Sequence, residues 1–250
     1  MSGFLPRDLL ERYIRGFWGY GELASPVWVV GMEEGGESRG DFEHKLRCFS
    51  RSGDAPLQDL REVHSGADLE RWFRPGGPLQ PTWARFAQFI VALEGGDHAD
   101  KEVLRAFQQT LLGRRGARHA MIELMPLPAR KIGSWPYCEW SDLPTLRSRA
   151  AYDATVRPAR IAGLRAMLQT HRPTVVLFCG TTYRTDWESV AGAPLAAQQC
   201  CGHGVFLAAN AGTTFVVAPH PTAFGVTRDL YGELAARAAK SAGWTSVAPG

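Results

Sequence analysis

The residues of this 250-residue chain best suited to chemistry stand where apolar runs stop. In "VWVVGMEEGG", Val27 to Gly36, a buried-looking run reaches Gly31 and Met32 and then two adjacent acids, Glu33 and Glu34. Glycine lets a backbone take positive φ or come close to a ligand, and a polar loop at a strand end sets chemistry on a rigid frame. Neighbouring residues of an extended chain point to opposite sides. One acid of the pair is therefore expected to face a ligand, where it would orient a water or stabilise a developing cation. The ordinary alternative is a pair of solvated turn residues.

Two further groups follow the same pattern. "PHPTAFG", Pro219 to Gly225, fixes His220 between two prolines, which restrict φ on both sides; a histidine so held can present one ring nitrogen to a ligand oxygen. Thr222 and an exposed-looking Phe224 come next. Within "MIELM", Glu123 is an acid in an apolar run. Burying it alone is costly, so it stands at an open strand end or has a partner, for which Arg130 and Lys131 are at hand. The loop beyond carries Trp135 and Tyr137, flat surfaces that could stack a base or simply pack.

The elements that must position these groups are legible as runs and periods. Strands are expected at Pro26 to Gly31, His119 to Met125, Thr174 to Cys179 and Phe215 to Ala218, with a weaker edge strand at Val205 to Ala209. Helical spacing is expected at Arg7 to Phe17, Pro81 to Leu93, Lys101 to Leu112, Tyr152 to Thr170 and Arg228 to Ser241. Strands alternating with helices imply a parallel sheet covered on both faces. Ligands of such sheets sit beyond the carboxyl ends of the strands, which is where "GMEEGG", "ELMPLPARKIGSWPY", "CGTTYRTDW" and "APHPTAFGV" would converge. No repeat or long linker divides the chain, so one domain over residues 1–250 is expected.

A composition of 45% hydrophobic and 21% charged residues is that of a soluble globular protein. Neither a signal segment nor a membrane-length apolar run stands out, and the chain is read as cytoplasmic. The five cysteines have no CxxC spacing and suit neither a disulfide framework nor a zinc site. A net charge of +3 permits a polyanionic partner without requiring one. Arginines gather at Arg114, Arg115 and Arg118 and again at Arg147, Arg149, Arg157 and Arg160, and either group could be a solvated face.

With "GMEEGG" after the first strand and "HPT" after the last, the chain resembles the uracil-DNA glycosylase superfamily. The resemblance implies a three-layer α/β/α sandwich on a central, mainly parallel four-stranded sheet. It also implies hydrolysis of the N-glycosidic bond of a flipped base, without metal or cofactor, by a monomer acting on single- or double-stranded DNA. Glu33 falls at the position that acts on the attacking water and the sugar cation, although a shift of one residue would select Glu34. His220 falls on the histidine that bonds the leaving base. Glu123, or Met125 in another register, falls near the base-reading position, with Gly31, Met32, Trp135 and Tyr137 around the base. Thr222 stands for a serine beside the phosphate, Phe224 and Gly225 fall in the loop that wedges into the duplex, and Arg130 and Lys131 would meet the backbone.

An ionised Glu123 would repel uracil O4 and accept from an amino group, so a deaminated base competes with a modified one, cytosine derivatives among them. Some divergent members of that superfamily are phage-defence glycosylases acting on modified cytosines, so the expected role is either repair or phage defence. Two other functions stay open, an inactive nucleic-acid-binding module and a hydrolase of free nucleosides or nucleotides.

Overall fold

The structure is a computed structural model and describes residues 3–36, 38–65, 68–130 and 133–246. Its framework is an eight-stranded sheet in the order β3-β1-β4-β2-β5-β8-β7-β6. The strands are β1 (Gly19–Gly21), β2 (Val27–Gly31), β3 (Leu57–Gln58), β4 (His119–Glu123), β5 (Val175–Cys179), β6 (Ala196–Cys200), β7 (His203–Asn210) and β8 (Thr213–Ala218). The centre, β4-β2-β5-β8, is parallel throughout. Its strands read as nearly unbroken apolar runs because both faces are covered.

The expected four strands are thus the parallel core of a larger, mixed sheet. β1 joins β4 antiparallel and carries the two-residue β3 at one edge; β7 and β6 continue antiparallel from β8 at the other. The run expected as an edge strand, Val205 to Ala209, is inside β7 and is bonded on both sides. The true edge is β6, whose first four residues are exposed.

Side-chain alternation sorts the helices into two layers. On β5, Phe178 stacks on Trp187 of α8 (Arg184–Ala191), with ring centroids 4.8 Å apart. Its neighbour Cys179 faces the other way, to Tyr231 of α9 (Arg228–Ala242). Trp28 meets His171 of α7 (Arg149–His171) on the first face. On the second face His119 meets Phe107 of α5 (Lys101–Thr110), and α4 (Pro81–Leu93) packs on α9 and α5. One continuous core joins residues from Leu5 to Ala238.

The remaining helices are α1 (Arg7–Gly16), α2 (Arg39–Arg51), α3 (Leu60–His64) and α6 (Tyr137–Trp140). α2 starts on a capping box in which Ser38 and Asp41 satisfy each other's backbone N–H. Among the described residues no helix is long and apolar enough to cross a membrane.

Candidate active site

Beyond the parallel strands the first two loops are zipped together. Leu124 N–H donates to Gly31 O (2.9 Å), Met125 N–H to Met32 O (2.7 Å) and Ala129 N–H to Glu34 O (3.0 Å). With its backbone fixed in this way, the acid pair diverges. Glu34 accepts from the Tyr20 hydroxyl at 2.7 Å and from Lys45 Nζ at 2.9 Å. Burial alone would raise its pKa, but Lys45 foremost, with His64 and Tyr20, holds it below the usual glutamate range. Glu33 turns to α7, where Arg149 Nη2 donates to it at 2.5 Å. From there charges alternate outward, Arg149 to Asp153 (3.1 Å), Asp153 to Arg157 (3.2 Å) and Arg157 to Asp186 (3.4 Å). Burial raises the Glu33 pKa against the pull of Arg149.

Glu123 lies opposite Gly31 in the β2–β4 register. The missing side chain of Gly31 makes that possible, since a Cβ there would sit 2.6 Å from Glu123 Oε2. Part of the Glu123 side chain reaches solvent, but Oε2 is buried with no hydrogen-bond partner. Of the two alternatives, Glu123 stands at the open end of β4; it makes no ion pair with Arg130, which is exposed, and Lys131 lies outside the described residues. Burial, reinforced by the charges of Glu34 and Glu33, pushes the Glu123 pKa far above the usual range. The shift favours the protonated carboxyl, which offers a donor as well as an acceptor. The expectation that it repels a carbonyl belongs to the ionised form, which the shift disfavours.

At the end of β8 the histidine loop is braced from behind. Tyr231 Oη donates to Pro219 O (2.9 Å), Ala223 N–H to His220 O (2.9 Å), and His203 Nε2 to Gly225 O (3.0 Å). The Thr222 N–H donates to His220 Nδ1 at 3.3 Å, and the Thr222 hydroxyl lies 3.0 Å from the same nitrogen. A backbone N–H can only donate, so Nδ1 is bare and the neutral ring carries its proton on Nε2. Burial lowers the His220 pKa, which keeps the ring neutral although the residue is exposed overall. The Thr222 hydroxyl thus lies against the ring on an exposed residue. Gly225 turns with φ of 77°. Phe224 is 103% exposed and packs on nothing.

The aromatic and methionine candidates are largely packing. Met125 is fully buried, Met32 nearly so, and Tyr137 is buried with its hydroxyl on Pro128 O (2.8 Å). Trp135 is half-buried, donates from Nε1 to Leu146 O (2.8 Å) and lies under the Arg149 guanidinium. Trp135 is covered by Arg149 on one side, and Tyr137 is buried among its neighbours. Instead a cleft of about 310 Å³ opens beside Gly36, lined by Phe42, Lys45, Arg130, Tyr137 and Trp140 among others. Glu33, Glu123 and His220 stand outside its lining.

The arginines divide likewise. Arg114, Arg115 and Arg118 precede β4, at the far end of the sheet, and pair with Asp59, Glu62 and Glu94. Lys45 and Arg160, which support the site, did not stand out as site residues in the sequence. Each nevertheless leaves a signal there, a cation inside an apolar helical stripe: Phe42, Lys45, Leu46, Phe49 in α2 and Arg160, Leu164, Leu168 in α7. Compared with known proteins, the chain matches no protein-family model and no curated protein.

Proposed function

We propose that the chain is a DNA glycosylase that hydrolyses the N-glycosidic bond of a flipped modified or deaminated base and leaves an abasic site. The observation that carries the reading is the His220 loop. A neutral histidine with its proton on Nε2 is joined, four residues on, to a fully exposed phenylalanine on a braced turn. Cleavage of the C1′–N bond leaves the electron pair on the base and positive charge on the sugar. An Nε2–H donor stabilises the first, and a carboxylate such as Glu33 stabilises the second and takes a proton from the water that bonds to C1′. Burial raises the Glu33 pKa, and Arg149, which donates to its carboxylate, opposes that rise toward the ionised form that this role requires. Phe224 suits insertion into a base stack, where an apolar wedge offsets some of the cost of unstacking.

Glu123, as a neutral acid, would read the base edge with one donor and one acceptor. The cleft beside Gly36 supports a base with a substituent, cytosine derivatives included, because it adds room next to the strand ends. The working form would be a cytoplasmic monomer on single- or double-stranded DNA, in repair or in phage defence.

The test is incubation with DNAs that carry uracil, 5-hydroxymethylcytosine or its glucosylated form, followed by cleavage at abasic sites. Strand lability on at least one DNA, lost in His220→Ala, is the expected result. Binding without lability on any DNA would favour an inactive binding module. Release of bases from free nucleosides, with none from DNA, would favour the small-molecule hydrolase.

A further inference from the structure

Arg160 is 3% exposed, yet no carboxylate pairs with it among the described residues. Its guanidinium lies 3.2 Å over the Trp18 ring. Nε donates to Leu124 O at 2.8 Å and Nη2 to Glu123 O at 2.9 Å, while Nη1 is buried without a partner. Trp18 completes the arrangement, because its own carbonyl accepts the Glu123 N–H at 2.8 Å. Both backbone polar groups of Glu123 are therefore held by two residues that are stacked on each other. α7 adds a second fitted feature about a turn beyond Arg160: a Cβ on Gly163 would come within 3.0 Å of the Trp18 ring, so glycine lets the indole lie flat against the helix.

We propose that Arg160 and Trp18 are positioning residues that fix the direction of the Glu123 carboxyl, and thereby set which base edge the site accepts. Burying a guanidinium without an acid costs stability, and a strand end needs no cation merely to continue its ladder. The cost is consistent with a lowering of the Arg160 pKa to about 9 by burial. What the cation obtains is a planar fork across two successive carbonyls and a flat seat on the indole, neither of which a lysine can reproduce. The direction of the carboxyl depends on how its own backbone is held, and both backbone polar groups of Glu123 are bonded by this pair. The selectivity claim rests on the glycosylase reading; the grip on Glu123 does not.

The test is a double-mutant cycle in the full chain with Arg160→Lys and Glu123→Ala, using duplexes that carry uracil or 5-hydroxymethylcytosine. Arg160→Lys should shrink the ratio of kcat/KM between the two bases roughly tenfold, at the low end of what one good base contact contributes. It should add nothing once Glu123 is alanine. A lowered Tm with an unchanged ratio would make Arg160 a brace only, and an undiminished effect in the Glu123→Ala background would route it through another residue; either overturns the proposal.

Should Arg160→Lys fail to fold, Trp18→Phe keeps the carbonyl and a flat face and should move the ratio in the same direction by less. Independently of activity, the carboxyl carbon of Glu123 should titrate differently by NMR in Arg160→Lys, and an unchanged titration defeats the grip itself. If the wild type excises neither base, the glycosylase reading falls while the NMR result still decides the positioning.

Discussion

Glu34 and Glu123 stand at the same end of the sheet, and their surroundings are opposite. Glu34 is held by an ammonium and a phenol. Glu123 has an oxygen with no partner and two like charges nearby. Burial acts on both, so its depth does not separate them. The difference is whether a cation bonds the acid directly, and that shifts the two pKa values in opposite directions. A compensated acid is framework, whereas an orphaned one is a stored imbalance that a ligand can relieve, the arrangement expected where chemistry or recognition happens.

The contrast can be broken most severely at Glu34. Glu34→Gln removes the carboxylate shared by Lys45 Nζ and the Tyr20 hydroxyl, and breaking a buried pair costs about 3–5 kcal/mol, measurable by denaturant unfolding. The sign with pH follows from the lowered pKa: this stability is present above the unfolded-chain value and is lost as pH falls through the folded one. Glu33→Gln should instead fold normally, keep its DNA affinity and lose on the order of 100-fold in single-turnover excision. Wild-type activity in that variant would move the catalytic acid elsewhere.

Glu123 titrates the other way. Its folded pKa is raised, so the stability it lends is complete below the unfolded-chain value and is lost as pH rises toward the folded one. Glu123→Gln removes that loss. Thermal melts of the two proteins should agree near pH 4 and separate above it by up to about 1.4 kcal/mol per pH unit in that window, with glutamine the more stable. Parallel pH profiles would mean Glu123 is ionised after all. Phe224→Ala should have the smallest effect, about tenfold slower excision from duplex but not from single strands, since only the duplex must be unstacked. Its unfolding free energy should stay within about 0.5 kcal/mol of wild type because nothing is buried there. Equal losses on both substrates would end the wedge assignment.

Much of this was legible in the residues alone, for reasons that also explain the omissions. β2, β4, β5 and β8 are covered on both faces and betray themselves as apolar runs. β1 is Gly-Tyr-Gly, β3 is two residues and β6 is mostly exposed, so none buries enough side chain to leave a pattern. The opposed directions of Glu33 and Glu34 follow from extended-chain geometry, but their partners could not be read, because Arg149 comes from α7, 116 residues away, and the fold of the loop that returns Lys45 of α2 to Glu34 leaves no pattern in the residues. The burial of Tyr137 and Met125 could not be read, because an aromatic or thioether in a proline-rich loop reads as available surface, and here the loop folds back onto the core.

The two edges of the sheet carry a consequence for crowded solutions. An unpaired strand flank is a template on which another chain can add its own backbone, and natural sheets blunt such flanks. At one side the flank is only Leu57 and Gln58. At the other, where β6 would offer five residues, Arg237 Nη1 already donates to Gln199 O at 2.9 Å and so occupies a carbonyl of the strand. The lining up of chain upon chain that leads to aggregation therefore meets a stub on one flank and an occupied carbonyl on the other.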